Sequence, residues 1–304
     1  LSAALHPLGA QVGGPDVEAA AASLTCDLDA YVPGVGPAAS FADGRVSLEW
    51  TGTGDERLRL RLGLVGGAPV VRELAIAEGG GAWVTVATDL GIEYRIVEGL
   101  RRISNQQLVP LRDLGVEITP EVVDRHKWDV FWDAPLDLGP VSTGRNPPPP
   151  EGVADQPGLP RSPDEIRRAS AEWSTTACTV TTEGRRLRVD FDGLSLGSFR
   201  GGLRLSVYRG TNLIHAEAVA ATGLPSVAYK YDVGLTGLPI TPAARVRWRD
   251  VAARAQSYGL RGPVNRDPVP LRAANRAVVA ELEGAAIAAF PPPHTFFWAR
   301  EVEI

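Results

Sequence analysis

The sequence predicts an all-β protein built as two sandwich-like halves, or one double sandwich, with a few short helices. Three observations carry that prediction. Short runs in which apolar and polar residues alternate recur along the chain, the period of a strand with one buried face. The 33 glycines and 25 prolines punctuate those runs at intervals of about ten residues, as turns between short strands do. The same grammar appears on both sides of a stretch, 139–163, that holds eight prolines.

In the first half, Asp16 follows Pro15 and is placed to cap a short alanine-rich helix. Strand patterning starts near position 39. After the turn pair Asp43 and Gly44, residues Val46, Leu48 and Trp50 alternate with polar neighbours. Residues 57–62 alternate arginine with leucine. Gly66 and Gly67 then lead into a run at 69–76, and the glycines at 79–81 lead into 83–86, with 94–97 following. Thr119 as N-cap with Pro120 at the first helical position predicts one helical turn.

The stretch 139–163 reads as an extended connector or surface strap, after which Ser162 is placed to cap a short helix. Further strand runs follow at 178–182, 186–191, 202–208, 213–219 and 227–232, with turns at Gly184, Gly193 and Gly210. Residues 275–282 and 285–290, separated by Glu283 and Gly284, read as a hairpin. The organisation expected is a first half at 1–138, the connector at 139–163 and a second half at 164–304.

Composition excludes several classes. Apolar residues at 44% and charged residues at 22% describe a folded globular chain rather than a disordered one. A formal charge of −5 gives no support to nucleic-acid binding. No run approaches the roughly 20 apolar residues of a membrane-crossing helix, so a soluble chain without membrane insertion is expected. Cys26 and Cys178 form no metal or redox motif; they are either one long-range disulfide or two unpaired thiols. The chain contains no methionine, even at position 1, and residues 294–304 read as a strand cut in progress. A region of a longer polypeptide is therefore expected, with further domains beyond it. Residues 1–5 have the composition of a signal-peptide tail without its charged segment, which leans the reading towards export.

Candidate chemistry lies in four places. Arg101, Arg102 and Gln106, followed by Trp128 and Trp132, combine fork-like polar groups with indole rings, the set that binds a sugar by stacking and hydroxyl recognition. The alternative is that Trp128 and Trp132, four apart, are the apolar stripe of a helix. His215 and Glu217 share one strand face, and Lys230 and Asp232 share another. If those strands are neighbours, the four groups supply a general acid and base, and a Glu217 and Asp232 pair fits glycosidase chemistry; otherwise they are solvated strand faces. Trp248 alternates with arginines at 245, 247 and 249, which either clamp an anionic sugar or face solvent. His294 sits among aromatics behind three prolines, in the least generic stretch of the chain. The four histidines, at 6, 126, 215 and 294, share no local spacing, so no metal site and no cofactor is expected. Phosphate-loop, nucleophile-elbow, His-Glu-x-x-His and EF-hand motifs are absent from the sequence.

Residues 41–102 resemble the β-sandwich or supersandwich domains, of the galactose-mutarotase type, found in bacterial polysaccharide-active enzymes. The segments carrying the resemblance are 41–45, 69–74 and 83–99. It is a likeness of strand style with no catalytic motif matched. It implies a carbohydrate-binding or carbohydrate-processing region of a larger exported bacterial protein, whose partner is a polysaccharide or oligosaccharide. If the protein is an enzyme, it is expected to act as a glycoside hydrolase or polysaccharide lyase, with Glu217, Asp232 and His215 catalytic. Arg101, Arg102, Gln106, Trp128, Trp132, Lys230, Trp248 and His294 are then the substrate contacts. The alternative is a non-catalytic structural or protein-interaction module of a cell-surface or secreted assembly, in which the tryptophans belong to the core.

Overall fold

The computed structural model describes residues 24–100, 105–126, 166–224, 227–260 and 271–291. The first strands are β1 (Thr25–Asp27), β2 (Ala38–Ala42), β3 (Arg45–Thr51), β4 (Glu56–Val65), β5 (Ala68–Glu78), β6 (Val84–Ala87) and β7 (Leu90–Leu100). Two short helices follow, α1 (Asn105–Asp113) and α2 (Pro120–His126). Then come β8 (Ile166–Ser170), β9 (Glu172–Trp173), β10 (Ala177–Glu183), β11 (Arg186–Leu196), β12 (Phe199–Tyr208), β13 (Ile214–Ala221) and β14 (Val227–Thr236). The last are β15 (Arg245–Arg249), β16 (Ala255–Gly259), β17 (Val278–Leu282) and β18 (Ala285–Ala289). The fold is all-β, as the sequence predicts.

Three sheets result. One runs β1-β10-β11-β12-β13, with β9 added alongside β11; a larger one runs β14-β7-β5-β4-β3-β2, with β6 on β5 and β8 on β7. A small sheet, β16-β15-β17-β18, completes the set. The two larger sheets share one core. Val46, Leu48, Leu58, Leu60 and Leu62 pack with Val180, Leu187, Val189, Phe191, Leu203 and Leu205, so residues from both sides of the proline-rich stretch bury one another. Alternation explains this directly: β4 buries its leucines while Arg57, Arg59 and Arg61 take the other face. Each fully buried leucine contributes about 1.5–3 kcal/mol of transfer free energy. Leu282 and Ile287 of the small sheet pack against the edge of the same core.

Local signals held where backbone geometry is demanding. Asp43 and Gly44 have φ of 51° and 68°, and Gly66 and Gly67 have 57° and 82°. Positive φ at both central residues is what a two-residue hairpin turn needs to match strand twist. At α2, Thr119 Oγ1 accepts a hydrogen bond from the Val122 amide at 3.3 Å, the cap expected from sequence. The 275–290 segment forms the expected hairpin, β17 with β18 in a register that opposes Ala280 to Ile287.

The helix expected after Ser162 is corrected. Residues 166–170 run extended as β8 and pair antiparallel with Gly99 to Arg95 of β7. Ladder hydrogen bonds to an otherwise open stretch of β7 outweigh a capping preference worth about 1 kcal/mol. The connector at 139–163 and the helix expected from Asp16 lie outside the described residues.

A disulfide within one sheet and two hydrogen bonds between the sheets add to the packing. Cys26 and Cys178 form a disulfide and stand opposite each other in the parallel pair β1 and β10, with Cα atoms 4.5 Å apart. Disulfides persist in oxidising compartments, so the bond is compatible with an extracellular protein. Among the described residues no helix is long and apolar enough to cross a membrane. The Trp50 indole donates to the Thr211 carbonyl at 2.9 Å, and the Gly210 amide donates to the Thr51 carbonyl at 2.7 Å, closing one end of the sandwich.

Candidate functional site

Sheet order leaves β13 as the last strand of one sheet and β14 as the last of the other, so the outer edges of both are unpaired among the described residues. β14 is ten residues long and pairs with β7 along its whole length, Val227 opposite Leu100 through Thr236 opposite Gly91. Directly opposed residues in an antiparallel pair point to the same face. Leu90, Tyr94 and Ile96 belong to the core, so their side of β14 carries Tyr229, Tyr231, Val233 and Leu235 towards the sandwich interior. These four are nevertheless 46%, 40%, 55% and 37% exposed. β14 overhangs the facing sheet, and its inward side chains reach past the cover that sheet provides.

Aromatic rings line the overhang. Phe199 at the start of β12 meets Tyr229 edge-on, with centroids 5.2 Å apart, and Tyr229 and Tyr231 lie 6.5 Å apart. Behind them the Tyr94 hydroxyl is buried without a hydrogen-bond partner among the described residues. Burial first, then the Glu217 carboxylate and Tyr231, push the ionisation of that hydroxyl well above the usual tyrosine range. Burial also raises Tyr231, reinforced by Tyr229 and opposed by the Arg276 charge.

On its other face β14 carries Lys230 and Asp232, both exposed. In register, Lys230 stands opposite Val97 and Asp232 opposite Arg95. Arg95 itself holds Glu93 at 2.9 Å.

The predicted acid and base group is distributed over two sheets. β13 pairs with β12 and β14 pairs with β7, so the strands carrying His215 with Glu217 and Lys230 with Asp232 are not neighbours in a ladder. Glu217 stands opposite Arg204, whose guanidinium is 3.8 Å from it and 2.6 Å from Asp190. Asp190 in turn holds Arg188 at 2.7 Å, and Glu183 pairs with both Arg188 and Arg186. This row of alternating charge crosses the outer face of β10 to β13. His215 is half-buried opposite Ser206. Trp248 is half-buried on β15 while Arg245, Arg247 and Arg249 are exposed, and Arg247 reaches Glu281 at 2.8 Å. The backbone of Gln106 lies at the start of α1. Arg101, Arg102, Trp128, Trp132 and His294 lie outside the described residues.

Two shallow hollows adjoin on another face. One, of about 550 Å³, is lined by Gly34, Val35, Gly184 and Arg185; the other, of about 300 Å³, by Glu49, Arg57 and Trp83, and both touch Gly36 and Arg209. The Trp83 ring is covered by the guanidiniums of Arg57 at 5.0 Å and Arg59 at 4.4 Å, a cation–π arrangement. Among the described residues no three His, Cys, Asp or Glu side chains stand close enough together to hold a metal ion.

The overhang of β14 is the feature that sequence reasoning missed. Its signal was present in the alternation of Tyr229, Tyr231, Val233 and Leu235 with Lys230 and Asp232. That pattern identifies a strand with two different faces; whether the apolar face is covered depends on how far the facing sheet extends. No protein-family model matches the chain, and no curated protein matches it.

Proposed function

We propose that the chain is a non-catalytic protein-interaction module of an exported or cell-surface assembly, and that it binds a partner by accepting an added β-strand along β14. The observation that carries this reading is β14 itself: ten residues long, paired on one side only among the described residues, with four large apolar side chains more than a third exposed on one face. Native sheets blunt such edges with short strands, proline or clustered charge. β14 has none of these beyond one lysine and one aspartate. A partner strand would satisfy the outward backbone groups and cover the apolar row, while alternate charged positions meet Lys230 and Asp232. The disulfide favours an oxidising compartment.

A photoreactive side chain introduced at Val233 tests the reading in the producing cell. The supporting result is a single protein adduct whose cross-linked peptide alternates apolar and polar residues, with none from the same probe at the exposed Val65 on the β4–β5 turn. No adduct at Val233 would sink the proposal.

Carbohydrate binding is a second reading, favoured by the hollow beside Trp83 with Glu49, Arg57 and Arg209 around it. The arginines over the indole compete with a sugar for that ring, which is why this reading ranks second. Retardation on polysaccharide affinity gels that disappears in Trp83→Ala supports it, and unretarded migration on every polysaccharide tried counts against it.

A further inference from the structure

We propose that the two adjoining hollows form one binding site for an acidic polysaccharide, with Arg185 and Arg209 receiving a carboxylate or sulfate of the sugar chain; this rests on the carbohydrate reading above and gives it a chemical class. Arg185 lies in the turn between β10 and β11, and Arg209 directly follows β12, so both stand where strands end. Two bonds hold those turns together. The Arg209 amide donates to the Arg185 carbonyl at 3.0 Å, and Arg185 Nη2 donates to the Arg209 carbonyl at 3.2 Å. Gly210 leaves room for that guanidinium, since a Cβ there would stand 2.9 Å from Nη2. The loop at 34–36 closes in from the other side, and a Cβ on Gly36 would stand 2.8 Å from the Gly184 carbonyl oxygen. The length of β12, ten residues or roughly 30 Å, separates this site from Phe199 and Tyr229.

Charge selects the ligand. Arg57, Arg185 and Arg209 line the two hollows together with a single carboxylate, Glu49, in a chain whose formal charge is −5. Arginines on the neighbouring strands are neutralised, Arg186 and Arg188 by Glu183 and Arg204 by Asp190. Neither Arg185 nor Arg209 has a carboxylate within ion-pair distance among the described residues. Two guanidiniums held on adjoining turns repel one another, and an oxyanion that accepts from both forks relieves that repulsion. The hollows, of about 550 and 300 Å³, fall in the range of small-molecule sites, about 300–1,000 Å³. They share Gly36 and Arg209, so one extended ligand crosses from the first into the second. There Glu49 accepts hydroxyls and repels a second acid. A sugar chain carries hydroxyls between its anionic groups, whereas an acidic peptide would set carboxylates against Glu49. The arginines over Trp83 count against a neutral sugar stacked on that ring and for an anionic one beside it.

Affinity electrophoresis of the whole chain through gels holding dextran sulfate, polygalacturonate or uncharged dextran tests the proposal. At least one acidic gel should retard the chain and dextran should not; retardation by dextran sulfate alone assigns a sulfate, and by polygalacturonate alone a carboxylate. Arg185→Ala combined with Arg209→Ala should weaken binding about tenfold. Val35→Glu adds a carboxylate to the first hollow with both arginines kept, and should weaken it likewise. Arg249→Ala combined with Arg254→Ala removes the same charge from exposed positions flanking the β15–β16 turn and should change nothing. All the substituted side chains are exposed, and unchanged circular dichroism of each variant confirms an intact fold. Site variants that migrate like the wild type overturn the inference, as does an equal loss in the Arg249 and Arg254 control. Free polyglutamate that releases the chain as well as free polygalacturonate does overturns the choice of a sugar. If uncharged dextran retards the chain as strongly as the acidic gels, this inference fails and the carbohydrate reading stands. If no polysaccharide retards it, both fail.

Discussion

Glu98 on β7 accepts two hydrogen bonds from Ser198, from its amide at 2.9 Å and from its hydroxyl at 2.6 Å, across a sequence separation of 100 residues. Ser198 lies in the turn between β11 and β12, so this contact joins one sheet to the other. Gly197 beside it has φ of 60°, and a Cβ there would stand 2.9 Å from the Glu98 carboxylate. A side chain at 197 would break the contact that the turn exists to make.

Glu98→Ala leaves the half-buried Ser198 amide and hydroxyl without the acceptor they share. Stability measured by urea unfolding should fall by about 1–3 kcal/mol. Ser198→Ala removes one of the two bonds and should cost less, about 1 kcal/mol. Equal stability of Glu98→Ala and wild type would show that the sheets are not held together here.

Leu60 is fully buried at the centre of β4, facing the other sheet. Leu60→Ala should cost about 2–5 kcal/mol through lost transfer energy and the cavity left behind, with an unchanged denaturant slope. Arg61→Ala, on the exposed side of the same strand, should cost within about 0.5 kcal/mol. Comparable losses for the two would contradict the face assignment of β4.

The Tyr94 hydroxyl is raised in the folded chain, while in the unfolded chain it titrates near the ordinary value of about 10. A raised acid binds its proton more tightly when folded. Its contribution is therefore complete below pH 10 and declines as pH climbs above that value, because the unfolded state gives up the proton first. Tyr94→Phe should flatten the alkaline fall in stability seen by thermal unfolding. At neutral pH it should be neutral or slightly stabilising, since it removes a buried hydroxyl that has no partner among the described residues. A steeper alkaline fall in Tyr94→Phe would contradict the shift.

Cys26→Ser or Cys178→Ser should each lower stability by about 2–4 kcal/mol. The double variant should cost no more than either, since one bond is lost in every case. Dithiothreitol should produce a similar loss in the wild type and none in the variants.

Most of the strands were legible because their cause is local. Arg57 to Leu62 alternate, and β4 follows; Asp43 and Gly44 tolerate positive φ, and a hairpin follows. β8 was not legible, because nothing within Ile166 to Ser170 outranks the capping signal of Ser162; what decides it is an open stretch of β7 some seventy residues earlier in the chain. Whether the candidate groups come together was not legible for the same reason. His215 with Glu217 and Lys230 with Asp232 each share a strand face as read from sequence, but which strands become neighbours is settled by sheet order. Glu217 was claimed by Arg204, a partner that only the pairing of β12 with β13 supplies. The length of β14 was also underestimated: Val233 and Leu235 continue the pattern of Tyr229 and Tyr231, and it is their inclusion that turns a polar face into an uncovered apolar one.

The disulfide carries a consequence for how the protein is made. Cys26 and Cys178 are separated by 152 positions, and synthesis runs from the first to the second. While the intervening chain is being made, Cys26 waits as a free thiol with β10, the strand it pairs with among the described residues, not yet in existence. β1 is therefore synthesised well before the strand that fastens it. A cell that makes this protein must keep that early thiol from reacting elsewhere until the second cysteine reaches the same oxidising environment.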